Sequence, residues 1–307
     1  MEEIYDTIII GGGPAGITAG VYALRQKLKT LLITKEFGGQ ITKKAVNICN
    51  FPGYEKIEGA VLMGNFVEHL KALNVEIEHG EVSKIEKTDD NFIVETKTGR
   101  KIISKTVILS TGAEPKSLNV PGEKEFLGKG VGYCVTCDGP IFRDKTIAVV
   151  GGGNAGFESA IFMENYANKI YILEFGKDAR ADQVNQEIVR NSEKIELITN
   201  ASVKEIKGEK FVNELIYTDS VSGKEKRLEV QGVFVAVGYA PKTEIAQGLA
   251  DLNDRKEIKV DFRTLATKTP GFFAAGDVNE GKIKQIIIAC GEGCKAALSA
   301  YDYISRK

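Results

Sequence analysis

This sequence predicts an α/β fold: two Rossmann-like units, each a three-layer ββα arrangement, with the second inserted in the first. Three observations predict it. The pattern Gly-x-Gly-x-x-Gly occurs twice, at Gly11, Gly13 and Gly16 and again at Gly151, Gly153 and Gly156, each time directly after an apolar strand and before a helical pattern. The βαβ plan that follows the first copy restarts at the second, a loose duplication with a period of roughly 130–140 residues, too long for a solenoid. The C-terminal segment, with Gly276-Asp277 and a long helical pattern expected from Gly291, reads as the completion of the first unit rather than of the second.

Each element has its own signal. Residues 4–10 form an apolar strand bounded by glycines, 15–28 a helix and 29–34 a second strand. Residues 58–73 carry helical periodicity, with Val61, Leu62, Phe66, Leu70 and Leu73 on one side. Strand patterns at 75–87, 91–97 and 100–109 are separated by Asp89-Asp90 and Thr98-Gly99. The second round reads as strand 145–150, helix 155–166 and strand 169–174. A hairpin-like run follows at 202–209, 211–219 and 225–230, with a turn at Ser222-Gly223, and then a strand at 233–237. The expected boundaries are 1–115 with 244–307 for the discontinuous first domain and 116–243 for the inserted one. Pro115 and Pro241 lie at the two crossings.

The bulk properties narrow the function classes. The chain has 307 residues, 43% of them hydrophobic and 27% charged, with a formal net charge of -1. A near-neutral chain carries no basic footprint for nucleic acid. The start, Met1-Glu-Glu-Ile-Tyr, lacks the basic and apolar regions of a secretory signal, and no apolar run reaches the roughly 18–20 residues of a membrane span. The five cysteines do not make a disulfide scaffold, so the expected compartment is the cytoplasm, with no membrane partner.

The glycine patterns carry a mechanism. The first glycine permits the tight turn, the second lets the backbone approach a pyrophosphate, and the third packs helix on strand, so the phosphates meet a helix N-terminus. Glycine-rich turns in an ordinary α/β protein are the alternative. The acid closing the second strand selects the nucleotide. In the second unit that acid is Glu174, placed to hydrogen-bond a ribose 2′-OH and to repel a 2′-phosphate, which points to NADH over NADPH; a solvated strand-end glutamate is the alternative. Glu36 is the less secure counterpart in the first unit.

Between the two turns lies Cys134-Val-Thr-Cys137-Asp138-Gly139. This spacing lets two sulfurs close a small, readily reduced disulfide, and Asp138 is placed to accept and return a proton. Half a zinc site is the alternative, but the chain offers no second Cys-x-x-Cys and only His69 and His79, so no metal is expected. Cys49, Cys290 and Cys294 read as buried and inert, and the two histidines as structural or exposed. Two nucleotide turns and one dithiol in a single chain suggest an electron relay.

With these residues in hand, the chain resembles the low-molecular-weight thioredoxin reductases over essentially its whole length. The shared motifs are the Gly11–Gly16 fingerprint, Gly39-Gln40, Asn50-Phe-Pro-Gly53, Thr111-Gly112-Ala113, Cys134 to Gly139, the Gly151–Gly156 fingerprint, Gly276-Asp277 and Lys284-Gln285-Ile286. The resemblance implies FAD in the first domain and a pyridine nucleotide in the second. Asp277 would hold the ribityl chain, and Gln40, Asn50, Gln285 and Ile286 would lie along the flavin. Gly11, Gly13, Pro14, Ala15, Gly16, Glu36, Gly39, Val82, Thr111, Gly112, Ala113, Gly276 and Lys284 would complete that site. Gly151, Gly153, Asn154, Ala155, Gly156, Glu174, Arg180 and Gly238 would serve the nicotinamide cofactor. Cys137 would face the flavin, Cys134 would attack the partner disulfide, and Asp138 would be the acid–base. The resemblance also implies a homodimer and a rotation of one domain against the other about the Pro115 and Pro241 regions.

One departure bears on the donor. NADPH-dependent members carry His-Arg-Arg after the second strand of the inserted domain, with another Arg shortly beyond. This chain reads Glu174-Phe175-Gly176-Lys177-Asp178-Ala179-Arg180, where only Arg180 matches. That stretch, and Asp138-Gly-Pro-Ile-Phe, are instead similar to the NADH-using flavoprotein subunit of alkyl hydroperoxide reductase. Members of that group carry an extra N-terminal domain with its own dithiol, whereas this chain starts at the FAD strand. The expected acceptor is therefore a separate thioredoxin- or glutaredoxin-like protein. The expected function is thus a thioredoxin-disulfide reductase-like flavoenzyme passing electrons from NADH through FAD and the Cys134/Cys137 disulfide. The alternatives are a ferredoxin- or flavin-driven reductase or a dithiol oxidase of the same fold, and a non-enzymatic FAD-binding redox sensor.

Overall fold

The structure is a computed structural model describing residues 4–44, 48 and 50–306; Cys49 lies outside the described residues. In chain order the first elements are β1 (Ile4–Gly12), α1 (Pro14–Arg25), β2 (Thr30–Phe37), α2 (Gln40–Lys44), α3 (Gly59–Ala72), β3 (Glu76–His79), β4 (Val82–Lys87), β5 (Phe92–Thr96), β6 (Lys101–Leu109) and β7 (Ala113–Pro115). Next come β8 (Val131–Gly132), α4 (Val135–Asp138), β9 (Thr146–Val150), α5 (Asn154–Met163), β10 (Lys169–Leu173), α6 (Gln183–Asn191) and β11 (Ile195–Ile198). The chain closes with β12 (Ala201–Gly208), β13 (Val212–Asp219), β14 (Glu225–Glu229), β15 (Gly232–Val235), β16 (Tyr239–Pro241), β17 (Phe272–Ala274) and α7 (Ile286–Ser305).

The chain falls into two compact units, Met1–Glu114 with Ala240–Lys307, and Pro115–Tyr239. The strands that carry the chain across, β7 and β16, pair with each other. The predicted α/β architecture is present in each unit.

In the first unit β3, β2, β1, β6 and β17 form a parallel sheet, and β5 and β4 extend it antiparallel from the N-terminal half of β6. Both faces are buried, and the strands alternate between two cores. Ile8, Ile10, Leu31, Ile33, Val107 and Leu109 pack on one side, with Phe92 and Phe272. Ile9, Leu32 and Ile108 pack on the other, beneath α1, α3 and α7. A near-continuous apolar run, with successive side chains on opposite faces, is what a doubly covered parallel strand requires. Each fully buried aliphatic side chain contributes about 1.5–3 kcal/mol relative to exposure.

The second unit repeats the design. Its sheet runs β11-β10-β9-β15-β8, all parallel. Ile147, Val149, Ile170, Ile172 and Phe234 face α5 and α6, while Ala148, Val150, Val233 and Val235 face the β12–β14 meander through Leu215 and Tyr217.

Several elements differ from the sequence expectation: α6 and β11 are not among those expected, and two expected elements change their bounds. The strand expected at 75–87 is two strands. Gly80 donates its N–H to the Thr34 carbonyl, and the chain turns there from the parallel sheet into the antiparallel meander. The last helix begins at Ile286 rather than Gly291. Ile286, Ile287 and Ile288 are weak helix formers, but Ile286 packs with Ile48, Ile57 and Leu62, and Ala289 is buried and donates to the Gln285 carbonyl. Tertiary burial overrides propensity at this end. No described helix is long and apolar enough to cross a membrane.

Candidate functional site

Both glycine turns are built the same way. Gly11 has φ +117° and lies so close to the Ser110 carbonyl that a β-carbon would overlap it; Gly151 has φ +129° and the same relation to the Ala236 carbonyl. Gly16 and Gly156 lie flush against the Gly11 and Gly151 carbonyls, where a β-carbon would again overlap. A β-carbon on Gly13 or Gly153 would meet no described atom within 4 Å. The middle positions therefore leave an open cradle at the N-termini of α1 and α5, and no side chain caps either helix. Neither first turn contains an acid. Exposed first-turn N–H groups and the helix dipole favour an anion there.

In the first unit the two stretches of the discontinuous chain meet around this cradle. A β-carbon on Gly39, at φ +56°, would lie 4.0 Å from the Cα of Gly13, and Gly276, at φ +79°, lies against the Ala15 side chain. Gln40 donates to the Ala113 carbonyl and reaches Asp277 Oδ2 at 3.4 Å. Asn50 donates to Gln285 Oε1 at 3.1 Å. Thr111 donates its hydroxyl to the Lys242 carbonyl, and the Gly112 carbonyl accepts the Lys242 N–H.

Lys284 is spent on structure: its ammonium donates to the carbonyls of Asp277 and Asn279 and pairs with Glu257 at 3.3 Å. Glu292 accepts from the Gly276 N–H and the Asn279 side chain, each at 2.7 Å. Burial pushes the Asp277 carboxyl up from 3.8 to about 6, against the pull of the Lys284 ammonium. Glu257, Asn279 and Glu292 carry no motif signal, because each is recognisable only through the turn it holds.

The structure places three further residues proposed from sequence as follows. The Val82 side chain belongs to the core, and the Ile286 side chain packs in the Ile48 cluster. Glu36 is exposed at the end of β2. Register explains the last. Ile10 pairs with Ile33 as Val150 pairs with Leu173, so the counterpart of Glu174 is Thr34. The Thr34 hydroxyl lies beneath Gly12, as the Glu174 carboxylate lies beneath Gly152.

In the second unit Glu174 is 4% exposed. It accepts the Gly152 N–H at 2.7 Å and the Gly176 N–H at 2.8 Å, one on each oxygen. The segment that follows wraps the turn: Arg180 and Ala181 donate N–H groups to the Gly152 carbonyl, and Asp182 donates its N–H to Asn154 Oδ1 at 2.7 Å. The Arg180 side chain is 82% exposed, with its guanidinium 4.0 Å from Glu174. Ala155 is exposed on the first turn of α5, and Gly238, at φ +102°, gives its carbonyl to the Lys116 N–H.

Cys134 and Cys137 form a disulfide across α4, with Cα atoms 5.3 Å apart. Cys134 accepts the backbone N–H groups of Cys137 and Asp138 on its carbonyl, and its sulfur lies 3.3 Å from the Thr136 hydroxyl. Asp138 packs against Gly132 of β8; a β-carbon there would sit 2.9 Å from Asp138 Oδ2. Burial pushes the Asp138 carboxyl up from 3.8 to about 6. A carboxyl beside a disulfide, titrating near neutrality, is suited to exchange a proton with a thiol.

Cys290 and Cys294 are half-buried rather than fully buried, and burial pushes the Cys290 thiol up. His69 and His79 are both exposed. Among the described residues no group of three or more potential metal ligands occurs.

Known proteins share this geometry and much of the sequence behind it. A Bacillus subtilis protein named NADH dehydrogenase is 42% identical over 305 residues, covering 99% of this chain and 60% of its own length. An alkyl hydroperoxide reductase subunit of Staphylococcus aureus is 40% identical over 306 residues, again 99% of this chain and 60% of its own. The chain thus spans 60% of the length of these curated relatives. The crystal structure of thioredoxin reductase from Streptococcus pyogenes superposes with a TM-score of 0.94 at 36% identity, covering 100% of both chains. Residues 5–293 match the family of pyridine nucleotide-disulphide oxidoreductases, and the chain belongs to that family.

Proposed function

We propose that this chain is an FAD-dependent NADH:disulfide oxidoreductase of the thioredoxin reductase type, whose acceptor is a thioredoxin- or glutaredoxin-like protein. The observation that carries the reading is the Cys134–Cys137 disulfide followed directly by the half-buried Asp138, on a unit that holds its own open glycine cradle. In balance, NADH and one proton convert a disulfide into two thiols. FAD, when bound, accepts a two-electron equivalent from the nicotinamide and delivers it to a disulfide.

The first unit fits FAD. The Gly13 cradle would take the pyrophosphate, Asp277 with Gln40 would hold the ribityl hydroxyls, and Asn50 and Gln285 would line the ring. The second unit fits NADH at the Gly153 cradle. Support for NADH over NADPH comes from Glu174, an anion beneath the turn where a 2′-phosphate would need cations. By the family resemblance, Cys137 would take the electrons from the flavin and Cys134 would attack the partner disulfide. Asp138 takes the proton of the Cys134 thiol as it becomes the attacking thiolate and returns one to the departing sulfur. Family resemblance supports a cytoplasmic homodimer whose two domains turn about Pro115 and Pro241.

The test is an anaerobic titration of the purified flavin-bound protein with NADH and, separately, NADPH, following flavin bleaching. The reading expects bleaching at much lower NADH than NADPH. It also expects a thioredoxin disulfide to be reduced in turnover, with that turnover lost in Cys134→Ser. Equal bleaching by both nucleotides overturns the NADH assignment, and bleaching by neither overturns the nicotinamide donor.

A further inference from the structure

Glu123 is 1% exposed. Its carboxylate collects three donors: the Leu118 N–H at 2.9 Å and the Tyr133 hydroxyl at 2.8 Å on one oxygen, and the Asn119 N–H at 2.7 Å on the other. The glutamate is itself pinned. The Pro121 carbonyl accepts the Ile206 N–H at 3.0 Å, and Gly122, at φ +83°, lies so close to the Ile206 carbonyl that a β-carbon would overlap it. Tyr133 is the residue before Cys134, and its hydroxyl also lies 3.4 Å from Ser117 Oγ. Burial pushes the Tyr133 phenol up to about 12, so it remains a neutral donor.

We propose that Glu123 is a positioning residue for the Cys134–Cys137 pair, tying the backbone that enters the dithiol, through Tyr133, to the Ser117-Leu118-Asn119 segment near the start of the second unit. The proposal rests on the reading above, in which this pair cycles between disulfide and dithiol. Closing a disulfide costs the loop its backbone freedom. A loop already anchored at Tyr133 has less freedom left to lose, so the anchor favours the closed form. Removing the phenol hydroxyl releases the reduced loop more than the oxidised one and moves the equilibrium toward dithiol.

The experiment equilibrates the full flavin-bound protein, anaerobically, with dithiothreitol of defined reduced-to-oxidised ratio, and counts free thiols by maleimide labelling. In this exchange the two dithiothreitol sulfurs become a disulfide, and their two electrons and two protons appear on Cys134 and Cys137. Tyr133→Phe carries the test, because it keeps the ring; Glu123→Gln and the double variant accompany it, with thermal melting of each.

At the ratio that holds the unmodified protein half oxidised, Tyr133→Phe is expected to lower the oxidised-to-reduced ratio about threefold or more, the equivalent of one ordinary hydrogen bond. The double variant is expected to lie no lower than Glu123→Gln alone, because both groups act through one bond. An unchanged ratio in Tyr133→Phe, whatever its melting temperature, overturns the proposal. The poise is set by dithiothreitol and needs no nicotinamide turnover. An expected shift together with a failed NADH assay therefore upholds the role of Glu123 while sinking the proposed donor.

Discussion

The two glycine turns share a backbone and differ in what lies beneath it. In both, the first glycine abuts a carbonyl from a neighbouring strand end, Ser110 in one unit and Ala236 in the other, and the last glycine closes onto the first. Beneath the middle of the turn the first unit places Thr34, whose hydroxyl donates to the Glu36 carbonyl at 2.7 Å. The second unit places Glu174, whose carboxylate binds two backbone N–H groups. The turn is thus a rigid device that tolerates either a neutral or an anionic support. Under the proposed function, that one strand-end residue is where the two turns would differ in the nucleotide they favour.

The largest expected effects test whether the turns serve different nucleotides. Gly16→Val and Gly156→Val each force a side chain into a carbonyl. Gly16→Val is expected to purify without its flavin absorbance. Gly156→Val is expected to keep the flavin and lose NADH turnover on the order of 100-fold. Loss of flavin from both variants would erase the distinction between the units.

Next come the two carboxyls that burial pushes up to about 6, Asp138 in one unit and Asp277 in the other. Asp138→Asn should lower turnover on the order of 100-fold. In the unmodified protein turnover should fall as pH drops below about 6, where Asp138 holds its proton and cannot accept another. A variant that retains this acid limb would place the titrating group elsewhere.

Asp277 is expected to act on stability in the flavin-free protein. Its carboxyl keeps a proton up to about 6 when folded but only to 3.8 when unfolded. The folded state therefore binds the extra proton across that window, and stability falls as pH rises through it, then levels off. At about 1.4 kcal/mol per pH unit the decline amounts to roughly 3 kcal/mol. Denaturant melts of Asp277→Asn between pH 4 and 7 should lose this share of the slope and keep the share of Asp138, whose carboxyl is raised alike; an unaltered slope would assign it to another group.

Glu174→Gln sharpens the comparison directly, because it makes the second support neutral like the first. The NADH KM should rise about tenfold, the scale of losing a charged hydrogen-bond acceptor, and the preference for NADH over NADPH should narrow. An unchanged preference removes Glu174 from the specificity argument. Arg180→Ala should do least, under about threefold on NADH efficiency, because an exposed pair at 4.0 Å contributes little. A larger loss would mean that Arg180 contacts the nucleotide.

What was legible in the sequence was local. Two glycine patterns, each between an apolar strand and a helical pattern, announce their turns because the turn geometry depends on positions one, three and six of one short segment. Cys134 and Cys137 announce a disulfide for the same reason, since three residues bring their Cα atoms to 5.3 Å. The apolar runs of β1, β2 and β9 read as strands, and such runs suit a sheet covered on both faces, because successive side chains point to opposite sides.

What only the tertiary structure decided was which distant groups satisfy one another. The expected strand 75–87 divides at Gly80 because the Thr34 carbonyl is there to receive its N–H. Thr34, not Glu36, occupies the place of Glu174 because register between parallel strands is set by both partners. Lys284, Glu257 and Glu292 converge on the Gly276-Asp277 turn, and Glu123 gathers Leu118, Asn119 and Tyr133, with no spacing rule to foretell either. Hydrophobic periodicity determines which face of an element is buried. A buried carboxylate or backbone N–H must find its partner wherever folding happens to bring one within hydrogen-bonding reach.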